Sequence, residues 1–199
     1  MRRLLLGAVL SGALALPALA ALRPGETAPA FSARISLAGK ESTFTLADAL
    51  RAGPVVVYFF PAAYTPGCNL EAHAFATQMD AFRAAGVSVI GVSHDSLARL
   101  HEFSADPKYC AGKFPVASDP DGAIARSFGL EVAPPEPGKR DVRGAVVDHP
   151  LTERTTFVIA PGGKIDSVFS SNQRIAPSEH AIRALTAAQK LVGSKPKPR

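Results

Sequence analysis

The segment Val55–Cys68, VVVYFFPAAYTPGC, joins an apolar strand to the start of a helix. Its first six residues are β-branched or aromatic and predict a buried strand over residues 54–60. The following residues carry apolar side chains at helical spacing, which predicts a helix over residues 68–85. Cys68 is therefore expected in the first helical turn, where unpaired backbone N–H groups and the positive end of the helix dipole favour a thiolate.

Pro61, Thr65 and Cys68 resemble the PxxxTxxC signature of the peroxiredoxins. Together with Tyr58 before them and Glu71 after them, they are most similar to the Q-type, or bacterioferritin comigratory protein, branch. The resemblance covers about residues 24–190, and it includes the segments VIGVS at 89–93, FP at 114–115 and RTTFVI at 154–159. The chain departs from the pattern at one position. Many Q-type members have a resolving cysteine five residues after the reactive one, where this chain has His73.

Strands and helices alternate along most of the chain. The patterns predict a hairpin from residues 31–37 and 43–46, strands at 87–93 and 114–117, helices at 95–105, 120–128 and 177–192, and a hairpin at 154–160 and 164–170. This order predicts an α/β protein with a thioredoxin-like fold, in which an N-terminal β-hairpin joins a central mixed sheet flanked by helices.

The resemblance implies a thiol peroxidase that reduces hydrogen peroxide and organic hydroperoxides without a metal, haem or flavin. Cys68 would attack the peroxide, and Thr65 and the amides of Gly67 and Cys68 would supply hydrogen-bond donors. Arg154 is similar to the family's catalytic arginine, and its planar cation would stabilise the leaving oxygen. Pro61 would shape the loop and shield the thiolate from water.

Glu71 lies one helical turn after Cys68, where an unpaired carboxylate would disfavour the thiolate. It must therefore be paired or face away from the sulfur. The family analogy pairs it with Arg154, and the alternative is an ordinary first-turn acid stabilised by the helix dipole. His73 and His94 are both expected to be structural or surface histidines.

Cys110 is the second of the two cysteines of the chain. No C-x-x-C motif is present, so the sequence carries no zinc, haem or thioredoxin-type dithiol signature. Residues 106–113 are polar and include proline and glycine, which predicts a mobile loop. Because some Q-type members resolve from this region, Cys110 is the candidate resolving residue, with a thioredoxin-like dithiol as reductant. A one-cysteine peroxidase recycled by an external thiol and a peroxide-sensing redox relay or binding module remain alternatives.

The N-terminus is typical of a secretory signal peptide, with Arg2 and Arg3, an apolar run over residues 4–16 and the Ala18-Leu19-Ala20 cleavage pattern. We expect residues 1–20 to be removed and the protein to be exported to the periplasm, with no stable membrane association after cleavage. The domain would span residues 21–194, followed by a disordered basic tail at 195–199.

The net charge of +5 includes the two N-terminal arginines and three basic residues of the tail, so the domain is close to neutral. No basic stripe interleaved with aromatic residues is present, which argues against a nucleic-acid partner. We expect a monomer or a weak dimer. Residues 131–152 contain four prolines and little periodicity, and a surface excursion is favoured over a flap above the site.

Overall fold

The computed structural model describes residues 20–193. The expected signal peptide, apart from Ala20, and the expected tail at 195–199 lie outside the described residues. Within residues 20–193, no helix combines the length and the apolar composition needed to cross a bilayer.

The elements of the described residues are nine strands and five α-helices. The strands are β1 (Ser32–Leu37), β2 (Lys40–Thr45), β3 (Val55–Phe59), β4 (Ser88–Ser93), β5 (Val116–Ser118), β6 (Val132–Ala133), β7 (Leu151–Thr152), β8 (Thr155–Ile159) and β9 (Ile165–Ser170). The helices are α1 (Leu46–Ala52), α2 (Pro66–Ala84), α3 (Leu97–Ala105), α4 (Ala123–Ser127) and α5 (Glu179–Gly193). Seven strands form one sheet in the order β2-β1-β5-β4-β3-β8-β9, and β6 pairs with β7.

Strand β3 lies inside this sheet, parallel to β4 and antiparallel to β8. All five of its side chains are buried, and they alternate between the two faces. Val56 and Tyr58 belong to a core formed with α2, α3 and α5, whereas Val57 and Phe59 belong to a core formed with α1 and α4. The end of β3 therefore holds the following loop between helices on both faces of the sheet.

The mixed sheet with its β1–β2 hairpin confirms the predicted thioredoxin-like architecture. Helix α1 was not predicted, because its first residue was placed at the end of a strand. Leu46 is its only buried side chain, and the Leu46 amide donates to the Phe31 carbonyl oxygen at 3.0 Å. Seven residues with one buried position are too few to show a helical period in the sequence. This helix therefore depends on its tertiary packing.

Candidate active site

Helix α2 begins at Pro66, two residues earlier than predicted, with Thr65 at the N-cap position. Proline suits the first helical position because its φ angle is already helical and no N–H is needed there. Cys68 follows as the third residue and is 1% exposed. The amides of Gly67 and Cys68 lie in the first turn, where no helical carbonyl is available to them. The sulfur therefore shares the positive end of the helix with two amide donors.

Arg154 reaches this turn from the residue before β8. The pairing of β8 with β3 places Thr155 opposite Phe59, so Arg154 lies where β3 gives way to the loop. Its Nη2 donates to Cys68 Sγ at 3.4 Å, and its Nη1 donates to Glu71 Oε2. One guanidinium thus bridges the sulfur and the carboxylate, and of the two alternatives for Glu71 the structure shows the pair with Arg154.

The electrostatics of the Arg154–Glu71 pair follow from its burial, since Glu71 is 0% and Arg154 is 9% exposed. Burial raises the pKa of the Glu71 carboxyl to about 8, against the opposing effect of the Arg154 charge. Burial alone would lower the pKa of Arg154, but Glu71 and Cys68 raise it above its ordinary value. Arg154 therefore stays charged and lies between the Glu71 carboxyl group and the Cys68 sulfur.

Gly67 provides the space through which Arg154 approaches Cys68. A Cβ atom at this position would lie 3.1 Å from Arg154 Nη2 and 3.5 Å from Pro177 Cγ. The first distance is shorter than an ordinary van der Waals contact, so a side chain here would push against the guanidinium. Pro177 precedes α5 and approaches the same turn.

Thr65 lies three residues before Cys68, but its hydroxyl proton is used within the loop. Thr65 Oγ1 donates to the Ala62 carbonyl oxygen at 2.8 Å. The expected donation to a peroxide therefore requires exchange of this bond, while the hydroxyl oxygen can still accept. Pro61 lies two residues after the end of β3 and is half-buried at the start of the same loop.

The loop before Cys68 is held in a restricted conformation by Asp95. Tyr64 has a φ of 62°, in the left-handed region that residues other than glycine seldom adopt. The amide of Ala63 donates to Asp95 Oδ2 at 2.7 Å, and Asp95 is fully buried. Burial alone would raise the pKa of Asp95, but hydrogen bonds, chiefly from His149, lower it. A buried carboxylate thus anchors the strained loop.

Residues 131–152 are mostly exposed, as predicted for a surface excursion, but part of the segment also packs on the loop before Cys68. The Val142 amide donates to the Tyr64 carbonyl oxygen at 3.0 Å, and Arg143 Cζ lies 3.4 Å from the centre of the Tyr64 ring. His149 Nε2 lies 3.0 Å from Asp95 Oδ1. These partners are distant in sequence, which is why local composition indicated only a loop.

Residues 106–113 lie outside the helices and strands, as predicted for a loop, but Cys110 itself lies in the core. Its side chain is 0% exposed and belongs to the same apolar cluster as Cys68. The amides of Tyr109 and Ala111 both donate to the Asp106 carbonyl oxygen, at 3.1 and 2.9 Å. Burial raises the pKa of the Cys110 thiol well above its ordinary value. Both cysteines are free thiols in this structure.

His73 and His94, the two histidines named from the sequence, each contact a backbone carbonyl oxygen. His73 is exposed, and its Nδ1 lies 3.1 Å from the carbonyl oxygen of Lys108 near the Cys110 turn. His94 is buried, with Nδ1 2.6 Å from the Asp119 carbonyl oxygen. Between residues 20 and 193, no three His, Cys, Asp or Glu side chains are grouped so that they could hold a metal ion.

A model of the AhpC/TSA family matches residues 24–168. The chain belongs to this family. Peroxiredoxin Bcp of Escherichia coli, which is similar to this AhpC/TSA chain, is 32% identical over 148 residues, which are 74% of this chain and 85% of that protein. Two solved structures are also similar. Peroxidoxin BcpB from Mycobacterium tuberculosis has a TM-score of 0.69 and 29% identity, covering 88% of this chain and 99% of that one. Xanthomonas campestris peroxiredoxin Q has a TM-score of 0.62 and 29% identity, covering 80% and 90%.

These relatives confirm the predicted resemblance to peroxiredoxins of the Q-type, or bacterioferritin comigratory protein, branch. This AhpC/TSA protein is accordingly a thiol peroxidase. Sequence reasoning gave no role to Asp95, Thr156 or His180, three buried residues near this site. For Asp95 a signal was available, because it follows β4 at the carboxyl edge of the sheet, where α/β proteins place functional groups.

Proposed function

We propose that Cys68 is the residue that reduces hydrogen peroxide and organic hydroperoxides. The observation that carries this proposal is the contact of Arg154 Nη2 with Cys68 Sγ at a buried helix N-terminus. The thiolate attacks the terminal peroxide oxygen and takes up its hydroxyl group, so the O–O bond breaks and a sulfenic acid forms. The leaving hydroxide or alkoxide takes a proton from solvent. Its developing charge is stabilised by Arg154 and by the amides of Gly67 and Cys68.

Thr65 and Pro61 would assist this step. Thr65 can offer its hydroxyl to the peroxide once the bond to Ala62 exchanges, and Pro61 would keep water from the sulfur. Organic hydroperoxides are included as substrates because one structural relative is described as having alkyl peroxide reduction activity. That relative is the bacterioferritin comigratory protein of Xanthomonas campestris, with a TM-score of 0.61 and 29% identity.

In the second half of the proposed cycle, the Cys110 thiol condenses with the Cys68 sulfenic acid to form a disulfide and release water. A thioredoxin-like dithiol then reduces this disulfide and becomes oxidised itself. Bridged cysteines need Cβ atoms about 4 Å apart. If the Cβ atoms lie farther apart than this in the reduced protein, the first turn of α2 and the Cys110 turn must both open during the cycle.

An aromatic contact supports coupled opening of these two turns. The ring of Tyr64, four residues before Cys68, lies 5.7 Å from the ring of Tyr109, which directly precedes Cys110. Both rings also pack against Phe103, at 5.1 and 5.6 Å. Displacement of one turn therefore removes packing from the other.

The burial of Cys110 favours a second candidate, the one-cysteine peroxidase. A thiol with complete burial and a raised pKa is a poor nucleophile unless its turn opens. In this version an external thiol reduces the Cys68 sulfenic acid directly, and Cys110 serves only as a core residue.

Mass spectrometry of thiol-blocked protein before and after one equivalent of peroxide separates the two cycles. We expect oxidation first at Cys68 and then a peptide linking Cys68 to Cys110. The Cys110→Ser variant should accumulate sulfenic acid and over-oxidise, because its resolving thiol is missing. Recycling of that variant by a dithiol at the wild-type rate, with no linked peptide in wild-type protein, would favour the one-cysteine cycle.

We also propose that the protein acts after export. The basic start, the apolar run and the Ala18-Leu19-Ala20 pattern support export. Disulfides also form and persist in oxidising compartments, which suits a cycle that forms one. We expect N-terminal sequencing of protein from the native host to find Ala21 as the first residue. A soluble cytoplasmic product that retains Met1 would contradict export.

A further inference from the structure

Two buried polar side chains behind the Arg154–Glu71 pair have no part in the proposed cycle. Thr156 lies on β8 and His180 lies in the first turn of α5, and both are 0% exposed. Thr156 Oγ1 lies 2.9 Å from His180 Nδ1, and that same nitrogen lies 3.5 Å from Glu71 Oε1. Three separate elements therefore meet at the carboxylate that holds Arg154.

The hydrogen bonds around His180 identify which ring nitrogen carries its proton. Burial lowers the pKa of His180 to about 4, and the Arg154 charge acts in the same direction, so the ring is neutral. Nε2 is buried and has no hydrogen-bond partner among residues 20–193. A buried N–H without an acceptor costs more than a bare ring nitrogen. The proton therefore lies on Nδ1, where Thr156 and Glu71 both offer oxygen atoms.

Glu71 has a buried oxygen atom that lacks a hydrogen-bond donor among the described residues. Its Oε2 accepts from Arg154, but its buried Oε1 has no hydrogen-bond partner in the described part of the chain. The Nδ1 atom of His180 lies 3.5 Å from that oxygen. A small shift of either side chain would bring the two atoms to an ordinary hydrogen-bond distance. A donor at Oε1 stabilises the carboxylate form and thereby its ion pair with Arg154.

We infer that His180 is a positioning residue for the peroxide-reducing site. Its Nδ1–H, shared between Thr156 Oγ1 and Glu71 Oε1, holds the Glu71 carboxylate toward Arg154, and Arg154 in turn contacts the Cys68 sulfur. A charged ring would repel Arg154, so His180 can position this pair only while its ring is neutral. This inference rests on the proposed role of Cys68.

Other charged groups also face His180 and set the background for its titration. Arg154, just before β8, and Glu71 in α2 face it, and Arg183 and Glu179 face it from its own helix. Arg183 disfavours the charged ring and Glu179 favours it. Arg183 and Glu179 carry opposite charges, so their effects on the His180 pKa oppose each other. They also pair with one another, at 2.7 Å.

Three variants test the inference. His180→Leu removes the donor and keeps a branched side chain, whereas His180→Asn keeps an N–H at the same number of bonds from the backbone as Nδ1. Thr156→Val removes the hydroxyl that fixes the ring. The measured quantity is the second-order rate constant for Cys68 oxidation by hydrogen peroxide, followed on both sides of the Glu71 pKa. Glu71→Gln identifies which step of the pH profile belongs to Glu71.

We expect His180→Leu to lower this rate constant roughly tenfold. Loss of the donor disfavours the carboxylate, so the Glu71 step should move to higher pH. His180→Asn should restore both the rate and the position of the step. Thr156→Val should change both in the same direction as His180→Leu, by a smaller factor. Thermal unfolding of each variant reports whether it is folded.

Folded His180→Leu protein with the wild-type rate and an unchanged profile would overturn the inference, as would His180→Asn behaving like His180→Leu. If His180→Leu does not fold, Thr156→Val decides the question, and a wild-type profile in that variant overturns the inference. Wild-type protein whose Cys68 is not oxidised by peroxide would instead contradict the proposed function itself, and the inference with it.

Discussion

Cys68→Ser is expected to abolish peroxide reduction, while Cys110→Ser is expected to keep the first oxidation at the wild-type rate. A serine hydroxyl is not ionised near neutral pH and cannot take up oxygen from a peroxide as sulfur does. Cys110 is the only other cysteine of the chain, and it is fully buried in the reduced protein. The first oxidation therefore depends on the sulfur of Cys68.

The measurement is a single turnover with less peroxide than protein, followed by peroxide loss and by the mass of each cysteine peptide. Both variants remove one sulfur, so Cys110→Ser is a matched control for Cys68→Ser. Peroxide loss by Cys68→Ser at the rate of the control would show that the reacting sulfur is not Cys68.

The part of this site that could be predicted from sequence is local. A buried strand, a loop and a helix start follow each other without interruption over residues 55–68, so the position of Cys68 in the first turn follows from patterns within one segment. The same reasoning placed the helix start two residues late, because proline at the first helical position was not used as a signal.

Contacts between distant parts of the chain could not be predicted in this way. Arg154 and Glu71 are 83 residues apart, and only the family resemblance suggested their pairing. The polar residues around Cys110 indicated a loop, but Asp106 accepts the backbone hydrogen bonds of that turn and lets the thiol enter the core. Composition gives the polarity of a segment and not the direction of each side chain.

The sequence indicated only weakly that His180 is buried. It lies on the face of α5 that also carries Ala181, Ala184 and Ala188, all of them buried. A polar side chain on the apolar face of a helix requires a buried hydrogen-bond partner. The identity of that partner, Thr156, depends on how β8 and α5 pack, which the periodicity of neither element reveals.

Arg154→Met is expected to slow Cys68 oxidation about 100-fold, the effect typical of losing one transition-state donor in a buried site. Methionine is unbranched and fills a similar space, but it carries neither the charge nor the two N–H groups that contact Cys68 and Glu71. Arg154→Lys serves as the control, because it keeps the charge without the planar fork and should have an intermediate rate.

Gly67→Ala tests the same contact without removing the arginine. Its Cβ would lie 3.1 Å from Arg154 Nη2, so we expect a smaller loss of rate as the guanidinium shifts from the sulfur.

Stability must be measured beside the rate, because Arg154→Met leaves Glu71 buried without its cation. The folded-state pKa of Glu71 already lies above its ordinary value of 4.5, and loss of Arg154 raises it further. An acid whose pKa is raised by folding stabilises the fold fully below its unfolded pKa, and that contribution falls as the pH rises toward the folded value. The variant should therefore be most stable in mild acid and lose stability above about pH 4.5. An unchanged second-order rate constant in folded Arg154→Met protein would remove Arg154 from the site.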